Sequence, residues 1–447
     1  MKYPSPFRET ESTLKIAQFN TFPYGGAATA AKRLHEQLIQ RNVDSQFYYH
    51  RNEKLVQLDG SYHSVEFKKP RTGFLGAIDK RLTRRRQKMI HHLYDFHIAD
   101  RQSGLETFSM ADLPMSTMLD WPSIGADVVH LHWMSFFADY LSFFKSIPDD
   151  VPVVWTLHDM NAFTGGCHYS GGCKRFMSGC GNCPQVENRH QADVSDFSFR
   201  TKRRALRRKS IHVITPSRWL GGLAKESGIW PTGTTFDTLH YGLDLDLFRP
   251  VSKQRARKEL GITGGKTLIA FGAEDLNCQR KGVQHLLSAL RQLKNKLDVE
   301  CLMFGSGTLE VSDDLPRLHP MGYVDLLERQ ALIYSAADIV VVPSLEDNQP
   351  QVGLESMACG TPVVGFNAGG IPEYVRPGET GLLAEVGDSA DLSKQIGWLV
   401  AHVDERQKMG ARGRKMMEQE FEKNAQSQKQ IDFYKQILSK RPVSIAS

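Results

Sequence analysis

Short apolar runs alternate with amphipathic segments along most of the chain. In the first half, five runs predict buried strands: LKIAQFNTF (14–22), VDSQFYYH (43–50), ADVVHLHW (126–133), VPVVWTLHD (151–159) and IHVITPSRWL (211–220). A glycine turn, PYGG (23–26), and an alanine-rich helix follow the first of them. Strand, glycine turn, helix and strand in this order are typical of the start of a Rossmann-like unit.

A second alternating series begins near residue 265. Its predicted strands are KTLIAFGAE (266–274), VECLMFGSG (299–307), DIVVVPS (338–344) and TPVVGFNAGG (361–370). Amphipathic helices are predicted between them at 281–296, 325–337 and 351–360. Short apolar strands alternating with helices indicate a parallel sheet that is covered on both faces.

The pattern therefore predicts an α/β protein of two Rossmann-like, doubly wound domains that face each other across a cleft. The chain has 447 residues, which is more than one hydrophobic core normally serves. We expect an N-terminal domain over 1–240, a C-terminal domain over 241–425, and a helix over 426–447 that packs back on the N-terminal domain. Parallel sheets bind ligands at the carboxyl ends of their strands, so polar residues at those ends are the candidates for function.

Composition narrows the class of protein. Hydrophobic residues make up 40% and charged residues 24% of the chain, and no apolar run is long enough to cross a membrane. The polar N-terminal stretch (1–13) has no apolar segment typical of a secretory signal, which favours the cytoplasm. The net charge is +6, and basic residues cluster at 80–88 and 200–210. These tracts are either solvated helix faces or contacts with an acidic substrate or the inner face of a membrane. Neither tract carries a nucleic-acid motif, so we expect no nucleic-acid partner.

Two acids stand at the end of one predicted strand and inside the next helix, in SLEDNQPQVGLESMA (344–358). Asp347 follows the strand, and Glu355 lies eight residues later, about one turn into the helix. A carboxylate at either place can accept hydrogen bonds from the hydroxyl groups of a sugar, including the cis-diol of a ribose. The alternative is a carboxylate that only stabilises the helix start. Glu346 stands immediately before Asp347, and either acid fits a sugar contact.

Cations and glycines occupy equivalent places beside other predicted strands. Arg280 and Lys281 precede a helix and can neutralise a diphosphate as it leaves, although an exposed basic pair has the same appearance. Gly25 and Gly26 lie between a strand and a helix, where they permit the backbone to approach a diphosphate from the opposite side. A glycine pair is also common in ordinary turns.

The C-terminal half resembles the retaining GT-B glycosyltransferases of family 4. The resemblance rests on RKGVQHLLSAL, FGSG, YSAADIVVVPS, PSLEDNQPQVGLESMACGTPVV and GGIPEYVRPGETGLL, in that order. PYGGAA, VVHLHW, TLHD and VITPSRWL carry a looser resemblance in the N-terminal half. The resemblance implies that Asp347 contacts the donor sugar and that Glu355 binds the nucleotide ribose. It implies no catalytic metal, and a front-face departure of the diphosphate.

The chain departs from the pattern of that family in two places. Asp347 stands where glutamate is usual, and Asn348, Gln349 and Pro350 replace a glycine-rich loop. Ala273 follows the strand glycine where an arginine is common, so the diphosphate contact is expected to fall on Arg280 and Lys281.

Histidines end two of the predicted strands. His158 matches the cleft histidine of the family, which implies a role near the donor sugar, and His132 is a second candidate. A histidine at a strand end is more often structural than catalytic.

Four cysteines occur within seventeen residues, in GGCHYSGGCKRFMSGCGNCPQ (165–185). They are Cys167, Cys173, Cys180 and Cys183. The last two form a C-x-x-C pair in a glycine-rich stretch, which in a reducing compartment favours a structural zinc site over disulfides. His168 is an alternative ligand, and Cys278, Cys301 and Cys359 are scattered and interpreted as structural. Similar loops occur in one branch of bacterial polysaccharide-assembly glycosyltransferases.

These observations predict a retaining glycosyltransferase that moves a sugar from a nucleoside-diphosphate sugar to a glycan or lipid-linked acceptor in polysaccharide biosynthesis. The acceptor is expected in the N-terminal domain and the donor in the C-terminal one. Two alternatives stay open, namely a GT-B sugar-nucleotide epimerase and a catalytically inactive GT-B partner protein.

Overall fold

The computed structural model describes residues 13–50, 59–65, 73–113, 116–294, 296–307, 309 and 312–440. The polar N-terminal stretch and the last residues of the predicted C-terminal helix lie outside this part of the chain, except for Thr13.

Seven strands of the described chain form the first sheet, and all their pairings are parallel. They lie in the order β3-β2-β1-β4-β5-β6-β7. The central strands β4 and β5 are buried along their whole length, which explains their continuous apolar sequence. The strands are β1 (Lys15–Asn20), β2 (Asp44–Tyr49), β3 (Tyr62–Ser64), β4 (Val128–Leu131), β5 (Val153–Thr156), β6 (Ile211–Thr215) and β7 (Thr235–Thr238).

The helices of this first domain follow the strands in alternation. Asp193 caps α5 by accepting hydrogen bonds from the amides of Ser195 and Asp196, and Ser217 caps α6 in the same way. The basic tract at 80–88 lies on α2 and the tract at 200–210 begins on α5, and these two helices pack against each other. The helices are α1 (Gly26–Gln40), α2 (Gly73–His97), α3 (Trp121–Ile124), α4 (Tyr140–Ser146), α5 (Val194–Leu206) and α6 (Arg218–Glu226).

The second sheet has six parallel strands within the described residues, in the order β10-β9-β8-β11-β12-β13. Its strands are β8 (Thr267–Asp275), β9 (Val299–Ser306), β10 (Leu318–Pro320), β11 (Ile339–Val342), β12 (Val363–Phe366) and β13 (Gly381–Ala384). The helices that accompany it are α7 (Lys253–Glu259), α8 (Val283–Leu293), α9 (Leu327–Ala336), α10 (Gln351–Ala358), α11 (Ser389–Ala401) and α12 (Val403–Glu420). Each face of the sheet covers one hydrophobic cluster.

The final helix, α13 (Lys423–Ser439), returns to the first domain. Its apolar residues join a cluster with Ile16 and Val128 of the first sheet. The hydroxyl of Tyr434 lies 2.6 Å from His130 Nδ1, and the Arg41 guanidinium at the end of α1 donates to Ser427 at 3.1 Å. The chain therefore crosses between the domains twice, which ties them together at one side of the cleft.

The two sheets present their carboxyl ends to the same cleft. The turn after β1 and the segments that follow β8, β9 and β11 all line it. In the described part of the chain, every helix is too short or too polar to pass through a lipid bilayer.

Candidate active site

A cleft of about 450 Å³ lies between the two domains. This volume falls in the usual range for sites that bind small molecules. Its first-domain wall includes the turn between β1 and α1 and the side chain of His158. Its second-domain wall includes Lys281, Asp347 and Glu355. The structure thus brings together predicted residues that are more than 300 positions apart in the chain.

The glycine turn places the start of α1 against this cleft. Gly25 is the N-cap of α1 with φ of 90°, a left-handed conformation that a residue with a side chain adopts only with strain. Gly26 is the first residue of the helix, and both glycines line the cleft. The unpaired amides of a helix start attract anions, so this wall suits a diphosphate.

Asp347 lies at the cleft wall between two cations. Its carboxylate is 2.7 Å from Lys281 Nζ and 3.0 Å from the Arg280 guanidinium. Burial alone would raise the pKa of Asp347, but Lys281 and Arg280 outweigh burial and hold this pKa well below its usual range. Asp347 is therefore ionised at any physiological pH and ready to accept hydrogen bonds from hydroxyl groups.

Glu346 faces away from this cleft and contacts the cysteine-rich loop (165–185). Its carboxylate accepts hydrogen bonds from the Gly171 amide at 2.8 Å and from the Ser170 hydroxyl at 3.3 Å. Of the two adjacent acids, only Asp347 is among the residues that line the described part of the cleft. The geometry therefore favours Asp347 for a sugar contact.

Glu355 is buried on α10, and its carboxylate already has two partners. Arg33 of the first domain donates to it at 3.0 Å and the Tyr334 hydroxyl at 3.1 Å. Burial raises the pKa of Glu355 despite these contacts. A ribose that binds here must share the carboxylate with Arg33 or displace this side chain.

Arg280 and Lys281 lie together in a turn of 3₁₀ helix and both contact Asp347, but their other surroundings differ. Lys281 lines the cleft. The Arg280 guanidinium is held by Glu106, with 2.6 Å between Nε and Oε1, and it stacks 3.9 Å from the centre of the Tyr169 ring. Lys281 is thus placed to reach a diphosphate, whereas Arg280 joins the two domains.

His158 and His132 belong to one buried chain of hydrogen bonds. The Gln18 amide donates to Ser45 at 2.8 Å, which leaves the Gln18 carbonyl to accept from His132 Nε2 at 2.9 Å. His132 Nδ1 therefore accepts from His158 Nε2 at 3.3 Å, and His158 Nδ1 accepts from the Tyr241 hydroxyl at 2.8 Å. Burial lowers the pKa of His158 to about 4, so this ring is neutral near pH 7.

Comparison with known proteins assigns a family to the second domain. Residues 265–402 match the family model for glycosyl transferases group 1. A D-inositol 3-phosphate glycosyltransferase of Mycobacterium sp. (strain KMS) is 29% identical over 298 residues. The match covers 62% of this chain and 59% of that relative's length.

The second domain is a glycosyl transferases group 1 domain.

The fold of the whole chain is that of solved GT-B glycosyltransferases. Sucrose-phosphate synthase from Thermosynechococcus elongatus superposes with a TM-score of 0.67 at 18% identity, over 95% of this chain and 99% of that one. Anabaena HepE in complex with UDP and glucose gives a TM-score of 0.60 at 16% identity, over 95% and 100% of the two chains. The predicted pair of facing Rossmann-like domains is confirmed.

The residues that replace the usual glycine-rich loop of this domain contact the first domain. The Asn348 amide donates to the main-chain carbonyl of His158 at 3.1 Å. The Gln349 amide donates to the carbonyl of Pro216 at 2.9 Å. Pro350 is the N-cap of α10 and does not belong to its first turn. This segment thus fixes the glycosyl transferases group 1 domain against the strand ends of its neighbour.

Sequence reasoning missed three side chains of the site. Arg33 and Tyr169 each cross the cleft, and Tyr241 holds His158. The Tyr169 hydroxyl lies 3.3 Å from an oxygen of Asp347. No pattern near these residues indicates their partners, which are 83 to 322 positions away. Only Tyr169 lies in a segment that the sequence had singled out.

All four cysteines of the loop line one small cavity in the first domain. His168, the alternative ligand, lies elsewhere: its Nδ1 is 2.6 Å from Asp159 and its Nε2 is 3.0 Å from Ser109. Within the described residues, no set of three or more His, Cys, Asp or Glu side chains stands in metal-coordinating positions. Cys301 and Cys359 are buried in the second domain, and Cys278 contacts Glu106.

Proposed function

We propose that this protein is a retaining glycosyltransferase that takes a sugar from a nucleoside-diphosphate sugar. The observation that carries the proposal is the cleft in which the start of α1 faces Lys281, Asp347 and Glu355. The α1 amides and Lys281 can bind a diphosphate. The two carboxylates can bind the two sugars that the diphosphate joins. The GT-B fold and the glycosyl transferases group 1 domain support the same reaction class.

The charge and the hydroxyl groups of the donor determine where its parts bind in the cleft. The diphosphate lies between the amides after Gly25 and the ammonium of Lys281. The ribose hydroxyls bind Glu355, and the transferred sugar binds Asp347. A UDP complex of the similar Anabaena protein makes UDP the first nucleotide to test.

The chemical step follows from this placement. The bond between the anomeric carbon and the diphosphate oxygen breaks, and negative charge grows on the leaving group. The α1 amides and Lys281 stabilise this charge more in the transition state than in the ground state. The acceptor hydroxyl attacks from the same face and gives its proton to the departing diphosphate oxygen. His158, neutral and held by Tyr241, shapes the pocket beside the reacting sugar.

The acceptor is a glycan or a lipid-linked sugar that enters from the first domain. Arg203, Arg204, Arg207 and Arg208 line one groove on the surface of this domain together with Trp230. Arginines are suited to bidentate contacts with phosphate groups. We propose that this groove contacts the anionic headgroups of the membrane where a lipid-linked acceptor resides.

A hydrolysis experiment tests the donor reaction without knowledge of the acceptor. Purified protein is incubated with UDP-, GDP- and ADP-glucose, and the released sugar is followed by proton NMR. We expect slow release of nucleoside diphosphate from at least one donor, with α-glucose as the first anomer detected. First release of β-glucose would contradict the retaining mechanism.

The same spectra separate the alternatives. An epimerase would produce a sugar of changed configuration in the absence of acceptor, and an inactive partner would leave all three donors intact. A Lys281→Ala variant serves as the matched control, because contaminating hydrolases would be insensitive to this substitution.

A further inference from the structure

All four cysteines of the cysteine-rich loop border one small, partly open cavity. Cys167, Cys173, Cys180 and Cys183 all line a cavity of about 20 Å³. A cavity of this volume holds about one water molecule. The sulfurs do not yet stand in coordinating positions, but a change of χ1 to another staggered rotamer re-aims a thiol without moving the backbone.

The loop has little regular secondary structure and is ordered by hydrogen bonds and buried side chains. Apart from a turn of 3₁₀ helix at Arg175–Met177, the described loop has no regular element between residues 165 and 185. Five of its glycines have positive φ: Gly166, Gly171, Gly172, Gly179 and Gly181. Glycine loses the most conformational entropy on ordering, so a cross-link between the cysteines would stabilise the folded loop further.

Two cations flank the cysteines from the first domain. Lys202 is fully buried, and its ammonium contacts only neutral oxygens, those of Asn161 and Thr164, among the described residues. The thiols of Cys167 and Cys180 and the carboxylates of Asp159 and Asp112 all act electrostatically on this ammonium. Arg101 donates to the carbonyl of Gln185 at the end of the loop at 2.7 Å, and the thiols of Cys183 and Cys167 act on it electrostatically. Burial of a cation whose direct contacts are all neutral is costly.

We propose that these four cysteines bind one zinc ion as a tetrathiolate. Zinc binds four thiolates in tetrahedral sites, and C-x-x-C pairs are common among its ligand sets. Such a site carries a net charge of minus two, which Lys202 and Arg101 balance. Two disulfides would close the same loop but would leave both cations without this partner.

The metal also acts on the active site, because the segment between the first two ligands crosses to the second domain. The Gly171 amide donates to Glu346 at 2.8 Å. The Tyr169 ring stacks on Arg280, and its hydroxyl reaches Asp347. Zinc at the cysteines therefore holds Tyr169 as a positioning residue for Asp347.

Metal analysis of the full chain tests the site. The protein is expressed without a histidine tag, purified without added metal, and measured by plasma mass spectrometry. We expect about one equivalent of zinc in wild type and less than a fifth of that in Cys180→Ser. Cys301→Ser, a buried cysteine of β9 outside the loop, is the matched control and should keep the full equivalent. Cobalt-substituted protein should show the absorption bands of a tetrahedral thiolate complex.

Two results would overturn the zinc site. One is wild-type protein with less than a tenth of an equivalent of zinc and two disulfides in the loop by mass spectrometry. The other is the same low metal content with four free thiols.

Hydrogen exchange tests the link to the active site independently of any enzyme assay. Removal of zinc by a chelator should accelerate exchange at the Gly171 amide at least tenfold, whereas peptides from α8 should be unaffected. Unchanged exchange at the Gly171 amide in metal-free protein would contradict the positioning role of Tyr169. The zinc site itself is tested separately, by the measured metal content.

Discussion

Arg33 on α1 donates a hydrogen bond across the cleft to Glu355 on α10, with 3.0 Å between the two atoms. The same arginine donates to Gln351, one helical turn earlier, at 3.1 Å. Because Glu355 is also the expected ribose ligand, the contact that joins the domains and the contact that binds nucleotide use the same carboxylate. We therefore expect nucleotide binding and the approach of the two domains to be coupled.

Substitution of these two residues should have opposite effects on nucleotide affinity. Glu355→Ala should weaken binding of UDP, or of whichever nucleoside diphosphate the protein prefers, by about 2 kcal/mol, roughly thirtyfold. Arg33→Ala should preserve or improve this affinity, because the arginine competes with ribose. Calorimetry measures both. If Arg33→Ala lost as much nucleotide affinity as Glu355→Ala, the arginine would not compete with ribose, and the pair would have only a structural role.

Arg280 should matter more for stability than its neighbour Lys281. The Arg280 side chain is 13% exposed and joins Glu106, Asp347 and Tyr169, so Arg280→Ala leaves two acids short of a buried partner. We expect a loss of about 3 kcal/mol in the free energy of unfolding, measured in urea. Arg291→Ala, which removes an exposed pair with Asp314, should cost much less. Equal losses in the two variants would contradict this assignment.

Buried histidines should make the protein sensitive to acid. Burial lowers the pKa of His35 and His158 to about 4 and that of His130 to about 3, from an ordinary value of 6.5. The unfolded chain therefore binds protons that the folded chain does not between pH 6.5 and 4. Stability should be fully present above pH 6.5 and should fall as the pH decreases through this window.

Urea denaturation at a series of pH values measures this dependence. His130→Asn should lower stability at pH 8, because Tyr434 and Thr156 lose a partner, but should make the acid dependence shallower. His91→Asn, an exposed position on α2, should leave the dependence unchanged. A His130→Asn profile parallel to that of wild type would contradict the prediction.

The arginine groove should bind anionic membranes. Vesicles of phosphatidylcholine with added phosphatidylglycerol should sediment the protein, and neutral vesicles should not. Each arginine near the surface contributes about 1 kcal/mol, so the double variant R204A/R207A should bind at least tenfold more weakly. Binding should also fall with salt. Equal binding to neutral vesicles would contradict an electrostatic contact.

The alternation of apolar runs was enough to predict the long strands and the two-domain fold, because buried parallel strands have continuous apolar sequences. The edge strands β3, β7, β10 and β13 were not predicted. They have three or four residues each, which is too short for a period to be visible. Helix α2 was also missed, because its strongly basic sequence gives no clear apolar face.

The sequence predicted which residues form the site better than it predicted the contacts between them. Strand ends indicated that Asp347, Glu355 and Lys281 face one cleft, since parallel strands end at the same edge of a sheet. Spacing could not separate Lys281 from Arg280, because the directions of adjacent side chains in a turn depend on partners such as Glu106. That partner lies 174 positions away in the chain.

Release of nucleoside diphosphate by wild type and Lys281→Ala tests the central claim most directly. The claim is that Lys281 and the start of α1 hold a departing diphosphate in the cleft between the domains. We expect wild type to cleave its preferred nucleotide sugar and Lys281→Ala to do so at least tenfold more slowly, with a melting temperature close to that of wild type. Lys408→Ala, an exposed lysine on α12, should match wild type. Cleavage by Lys281→Ala at the wild-type rate would contradict the account and place the diphosphate elsewhere.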